Sequence, residues 1–107
     1  MHVVIFTDTL ARAHVLSDKL YGRINKRMKI VPKHNWTVLD IIDSRNIRID
    51  IRMADRIKSA GLRPSHVLFY NAPHDFINYW RYNMGGRYTE LETLDDVVQL
   101  IVREEDS

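Results

Sequence analysis

The stretch from Ser65 to Asp75 constrains the fold of this 107-residue chain more than any other. Four consecutive apolar or aromatic residues, Val67–Tyr70, follow Pro64 and lead through a polar turn into a helix predicted to begin at His74. A short apolar run between turn residues is typical of a strand that is covered on both faces. Because ligands of open α/β sheets bind beyond the carboxyl ends of such strands, the turn after Tyr70 is where a functional site is expected.

The rest of the chain has the periodicities of the same fold class. Val3–Phe6 predicts another buried strand, and residues 47–53 alternate apolar and charged side chains, which predicts one buried and one solvated face. The predicted strands span residues 1–7, 36–42, 47–53 and 67–70, with a shorter extended piece at 28–32. The predicted helices span residues 9–27, 74–84 and 93–105, with one helical turn at 54–60. Strands 36–42 and 47–53 are predicted to form a hairpin. This order predicts a single small α/β domain over residues 1–107, with a mostly parallel sheet of about four strands flanked by helices.

Charge is distributed unevenly along the chain. Residues 1–88 carry 15 Lys or Arg against 7 Asp or Glu, whereas residues 89–107 carry one basic and seven acidic residues, which gives the net charge of +2. A basic body favours polyanions, while an acidic final helix can cover that body or contact another protein. The absence of cysteine excludes thiol catalysis, disulfides and cysteine-ligated zinc, and favours a cytoplasmic location. The apolar run at 3–6 is too short to span a membrane.

A further pattern lies in the order of the parts over about residues 3–72. Strand 3–7 runs through Asp8-Thr9 into a helix, a hairpin strand follows at 47–50, and 61–71 leads to the buried strand and its turn. This order resembles the core of a helicase or terminase-type P-loop ATPase. In that family the last strand ends in the acidic Walker B residues, and the matching positions here are Asn71 and Ala72. The Walker A glycines are absent as well. The resemblance implies a non-hydrolysing fragment of that fold, as in small phage accessory proteins, with no nucleotide cofactor.

The candidate catalytic groups have simpler structural interpretations. A metal-dependent nuclease would use Asp8, Asp40, Asp43 and Asp50, but its carboxylate-x-Lys motif ends here in Arg52, which stays protonated and cannot act as a base. Asp8-Thr9 is the kind of pair that caps a helix. The five histidines show no metal-ligand spacing. The sequence therefore predicts no catalytic residue, metal ligand or cofactor, and favours a protein that is not an enzyme.

Two surfaces are predicted to bind partners. Aromatic and basic residues of the type that form interface hot spots lie on and after the helix at 74–84. They are Tyr79, Arg81, Tyr82, Arg87 and Tyr88. They favour a non-enzymatic binding protein, of the phage or mobile-element accessory kind, that binds a host protein or forms a homodimer. The alternative is nucleic-acid binding by the basic first helix and the segment after it. Its residues are Lys19, Arg23, Lys26, Arg27, Lys29 and Lys33. A metal-dependent nuclease is the second alternative.

Overall fold

The computed structural model describes the backbone of residues 1–24, 28–32, 36–41, 47–57 and 59–106, and the side chains of residues 1–24, 47–57 and 59–102. The strands are β1 (His2–Thr7), β2 (Met28–Pro32), β3 (Trp36–Ile41), β4 (Ile47–Met53), β5 (His66–Phe69) and β6 (Thr89–Leu91). The helices are α1 (Leu10–Arg23), α2 (His74–Met84) and α3 (Leu94–Asp106). None of the described helices has the length and apolar character needed to cross a membrane.

The strands form one sheet in the order β2-β3-β4-β1-β5-β6. The section β4-β1-β5-β6 is parallel throughout. Strands β3 and β4 pair antiparallel, with Leu39 opposite Ile49, and β2 pairs antiparallel with β3. The predicted α/β fold with a mostly parallel sheet and a hairpin is therefore confirmed. The order also shows that the two buried strands predicted from the sequence, β1 and β5, are neighbours at the centre.

The sheet is the middle of three layers because side chains alternate across it. Val3 and Ile5 of β1 belong to the core under α1 and α3, which buries Leu16, Leu20 and Ile101 among others. On the opposite face, a second core packs α2 against the sheet. Its buried members are Val4, Phe6, Val67, Phe76, Trp80 and Met84. Among the described helices, α2 is therefore the only one on its side of the sheet, and its outward surface faces away from α1 and α3.

The helix boundaries follow from local chemistry. Thr9 caps α1 by accepting a hydrogen bond from the backbone N–H of Arg12 at 3.2 Å, as predicted. The helix ends at Arg23, earlier than the predicted residue 27. Gly22 lowers the helix propensity of its last turn. Residues 25–27 lie outside the described part. Helix α2 spans 74–84, as predicted, and Gly86 beyond it has φ +80°.

The predicted capping box at the start of α3 is confirmed. The backbone N–H of Asp96 donates to Thr93 Oγ1 at 3.3 Å, and the backbone N–H of Thr93 donates to Asp96 Oδ2 at 3.0 Å. The hydrogen bonds from the backbone N–H groups of Thr93 and Glu92 lower the pKa of Asp96. Both bonds stabilise the charged carboxylate at the positive end of the helix.

The sequence did not predict strand β6. Its three residues pair in parallel with β5, and the backbone N–H of Thr89 donates to the carbonyl of Ser65 at 2.9 Å. The prediction missed this strand because Thr-Glu-Leu is short and mostly exposed, so that it carries no apolar run. Strand β6 forms one edge of the sheet and brings acidic side chains next to α2.

Candidate partner-binding surface

The crevice expected at the carboxyl edge of the sheet lies between β1 and β5. The chain leaves β1 toward α1 on one face and leaves β5 toward α2 on the other, which is the arrangement of a topological switch point. Asp8 follows β1 there and accepts a hydrogen bond from Arg12 Nε at 2.7 Å. That guanidinium lowers the pKa of Asp8. Since Asp8 pairs with Arg12 and Thr9 caps the helix, this corner has the structural role that the sequence suggested.

The turn after β5 is built around Asn71. This residue has φ +58°, a left-handed conformation that asparagine tolerates better than most residues. It redirects the chain so that α2 begins at His74, one residue after Pro73. Just before the turn, the backbone N–H of Tyr70 donates to the carbonyl of Phe6 at 2.8 Å, which fixes the end of β5 against β1. The role of Asn71 at this position is therefore explained by backbone geometry.

The acidic residues of the nuclease hypothesis do not meet in the described part of the chain. Asp50 is opposite Val4 of β1 in the sheet. Asp8 follows β1, four residues after Val4, and four residues correspond to about 13 Å at the usual rise of a strand. Asp40 lies in β3 with its side chain outside the described set, and Asp43 is not described at all. Among the described residues, no group of three His, Cys, Asp or Glu side chains is placed to hold a metal ion.

The prediction that one face of residues 47–53 is solvated is wrong for two of its three charged residues. Arg48 is exposed, but Asp50 is only 5% and Arg52 only 7% exposed. Asp50 Oδ2 contacts Nε2 of His2, whose strand lies next to β4. Burial lowers the pKa of Arg52, and the nearby charge of Asp50 opposes that change. No local sequence pattern predicts the contact between His2 and Asp50, because the two residues are 48 positions apart in the chain.

Tyr82 is among the exposed members of the five residues predicted to bind a partner. Its side chain is 90% exposed on the outer side of α2. Arg87 is also exposed, in the turn after the helix. Tyr88 instead packs against the core, with its ring centroid 6.1 Å from that of Trp80, and burial raises its pKa. Tyr88 is thus only partly exposed, unlike Tyr82 and Arg87.

Arg81 connects α2 to the edge strand. Its Nε donates to Glu90 Oε2 at 3.1 Å, and its Nη2 bonds the other carboxylate oxygen of the same residue. These hydrogen bonds raise the pKa of Arg81. The guanidinium also lies 5.6 Å from the centroid of the Phe69 ring. Arg81 therefore has a structural role in joining α2 to β6, in addition to the binding role predicted for it.

Tyr79 lies beside Tyr82 on the helix and is covered by a residue that the sequence analysis missed. The guanidinium carbon of Arg56 lies 4.6 Å from the centroid of the Tyr79 ring, at the distance of a cation–π contact. Arg56 comes from the turn after β4, so only the folded chain brings the two together. We call the exposed side chains of Arg56, Tyr82 and Arg87, together with the half-buried Tyr79, the α2 surface.

One buried polar atom lies beneath this surface. Trp80 is only 3% exposed, and its indole Nε1 has no hydrogen-bond acceptor among the described residues. A buried donor without an acceptor costs about 1–3 kcal/mol, and native proteins leave few of them. The indole packs against Phe6, with ring centroids 4.8 Å apart, and thus cannot turn to solvent without disturbing the core.

The basic alternative can be assessed at two of its six residues. Lys19 is exposed on α1, and Arg23 forms an ion pair with Asp95 of α3. Lys29 lies in β2 opposite Asp40, with its side chain outside the described set. Lys26, Arg27 and Lys33 lie outside the described residues. The acidic final helix therefore contacts this surface at Arg23.

Comparison with known proteins gave no match to a protein-family model, to a curated protein or to a solved structure. The resemblance to a helicase or terminase-type ATPase core therefore stays a prediction. The function of this chain is therefore inferred from its own geometry.

Proposed function

We propose that this chain is a protein-binding module that acts without catalysis and engages its partner through the α2 surface. The observation that carries the proposal is the position of Tyr82. Its side chain is 90% exposed on α2, the one described helix that covers its side of the sheet. Burying a side chain of this size removes apolar area from water and contributes about 1.5–3 kcal/mol, a gain that Tyr82 does not obtain within its own chain.

The composition around Tyr82 supports binding of a protein. Tyrosine and arginine are enriched among the residues that dominate interface energies, because each combines a large apolar area with a directional polar group. Tyr79, held under Arg56, presents such a pair in a fixed geometry. A fixed side chain loses less conformational entropy on binding than a mobile one. The partner is a different protein or a second copy of this chain; the phage accessory role and the cytoplasmic location stay predictions.

The experiment compares wild type with Tyr82→Ala and with Tyr21→Ala as a matched control. Tyr21 is an exposed tyrosine on α1, on the opposite face of the sheet. Sedimentation equilibrium at micromolar concentration measures self-association, and affinity capture with quantitative mass spectrometry measures a different partner. The proposal expects Tyr82→Ala to reduce one of these interactions at least tenfold, while Tyr21→Ala leaves it unchanged. A monomeric wild type that keeps every captured partner after Tyr82→Ala would refute the proposal.

A further inference from the structure

A small groove runs beside the α2 surface, between α2 and the turn at 56–63. Its volume is about 180 Å³, and Arg56, Gly61, Arg63, Tyr79, Trp80 and Asn83 contribute to its walls. Sites for free cofactors and drug-sized ligands usually measure roughly 300–1,000 Å³. The groove therefore has the size for one side chain of a larger partner.

The groups around the groove favour an anionic oxygen. Arg56 and Arg63 are exposed at its rim, and none of the described residues that line it is acidic. Trp80 also lines the groove, so its indole signal reports on a ligand bound there. Each guanidinium group donates several hydrogen bonds, so a carboxylate is complementary to the two arginines in both charge and hydrogen bonding.

The two arginines belong to the turn that forms one wall of the groove. Gly61, with φ +87°, reverses the chain between them in a left-handed conformation. Arg56 is fixed by its contact with Tyr79, and Arg63 Nη1 donates to the carbonyl of Leu62 at 2.9 Å. The cations are thus positioned before any ligand arrives, which reduces the entropy lost on binding.

We infer that this groove binds an aspartate or glutamate side chain from an acidic segment of the protein partner. The inference rests on the proposed function, because the groove and the α2 surface share Arg56 and Tyr79. It specifies the chemistry of the partner: an acidic segment whose carboxylate is bound by Arg56 and Arg63, next to a contact on Tyr82.

The test uses the indole N–H signal of Trp80 in a two-dimensional ¹H–¹⁵N spectrum of the full chain. The sequence has two tryptophans, and Trp36→Phe assigns the two indole signals. The probes are a blocked hexaglutamate peptide, the matched hexaglutamine peptide and inorganic phosphate. The inference expects hexaglutamate to move the Trp80 signal, because a bound carboxylate changes the surroundings of this wall residue, and expects hexaglutamine to leave it in place.

Charge-removing variants then locate the binding site. Arg56→Gln and Arg63→Gln are each expected to weaken hexaglutamate binding about tenfold, because each removes a charge-assisted hydrogen bond. Lys19→Gln removes an exposed cation from α1 and is expected to change affinity less than twofold. Both groove arginines are exposed, so neither substitution disturbs the core. Dispersed backbone signals in the same spectra verify that each variant is folded.

The possible results separate the two proposals. An unmoved Trp80 signal, or equal binding by Lys19→Gln and the groove variants, overturns the groove assignment while the effect of Tyr82→Ala on partner capture still stands. A response to phosphate but not to hexaglutamate overturns the carboxylate assignment. In the converse result, hexaglutamate moves the Trp80 signal while Tyr82→Ala leaves partner binding unchanged. That result supports the groove and refutes the α2 surface.

Discussion

Truncation of two aromatic rings, one buried and one exposed, tests how α2 is held and what its outer side is for. Phe6 is fully buried in β1, and its ring centroid lies 4.7 Å from that of Phe76 and 4.8 Å from that of Trp80. Phe6→Ala removes the ring that joins the sheet to α2 and leaves a cavity. We expect it to lower the free energy of unfolding by about 3–5 kcal/mol.

That loss is a large fraction of the stability of such a domain, which is typically about 5–15 kcal/mol. Urea unfolding followed by far-ultraviolet circular dichroism and tryptophan fluorescence measures it. With a urea m-value of about 1.5 kcal/mol/M, a loss of about 4 kcal/mol lowers the unfolding midpoint by roughly 2–3 M. The two probes are expected to give the same midpoint, because the core under α2 shares β1 with the core under α1 and α3.

Tyr82→Ala is the matched control, since it truncates an aromatic ring that is 90% exposed. We expect it to change the free energy of unfolding by no more than about 0.5 kcal/mol. A Phe6→Ala loss below about 1.5 kcal/mol would show that the ring cluster does not hold α2 to the sheet. A Tyr82→Ala loss close to that of Phe6→Ala would show that Tyr82 is buried in solution, which would remove the basis of the α2 surface.

Three further changes test local features. Thr93→Ala removes the cap of α3 and should lower the free energy of unfolding by about 1 kcal/mol in urea titrations, whereas Thr93→Ser should retain most of it. Gly86→Ala places a Cβ at φ +80° and should cost about 1–2 kcal/mol by the same measurement, with Gly86→Asn less harmful. Arg12 lowers the folded-state pKa of Asp8 below its ordinary 3.8, so Asp8 stabilises the fold above that pH. Melting temperatures should fall as the pH drops through and below 3.8, and less steeply in Asp8→Asn.

The features that the sequence predicted well are those decided by neighbouring residues. Helix α2 has its predicted limits because Pro73 precedes it and Gly85-Gly86 follows it, and both act on the backbone within one turn. The capping box of α3 is also a contact over three residues. Strand β5 was predicted from its apolar run, since a strand covered on both faces needs no partner to be recognised.

The features that the sequence did not predict depend on distant residues. Strand β6 is a strand only because β5 offers it a free edge. Asp50 is buried because the parallel register of β1 and β4 brings His2 beside it, and a shift of one residue would place Asp50 on the other face. The stack of Arg56 on Tyr79 likewise requires the turn after β4 to lie against α2. In each case the decisive partner is far away in the chain.

The uneven charge of the chain has a partly internal explanation. The acidic C-terminal part supplies Glu90 to Arg81 and Asp95 to Arg23, so it pairs with one residue from each of the two surfaces predicted to bind partners. Both pairs are exposed, where an ion pair contributes at most about 1 kcal/mol, so they orient these side chains more than they stabilise the fold. Arg56 and Arg63 differ, because they border a groove with no acidic residue among its described walls. This contrast supports the proposal that an acidic partner binds at the groove.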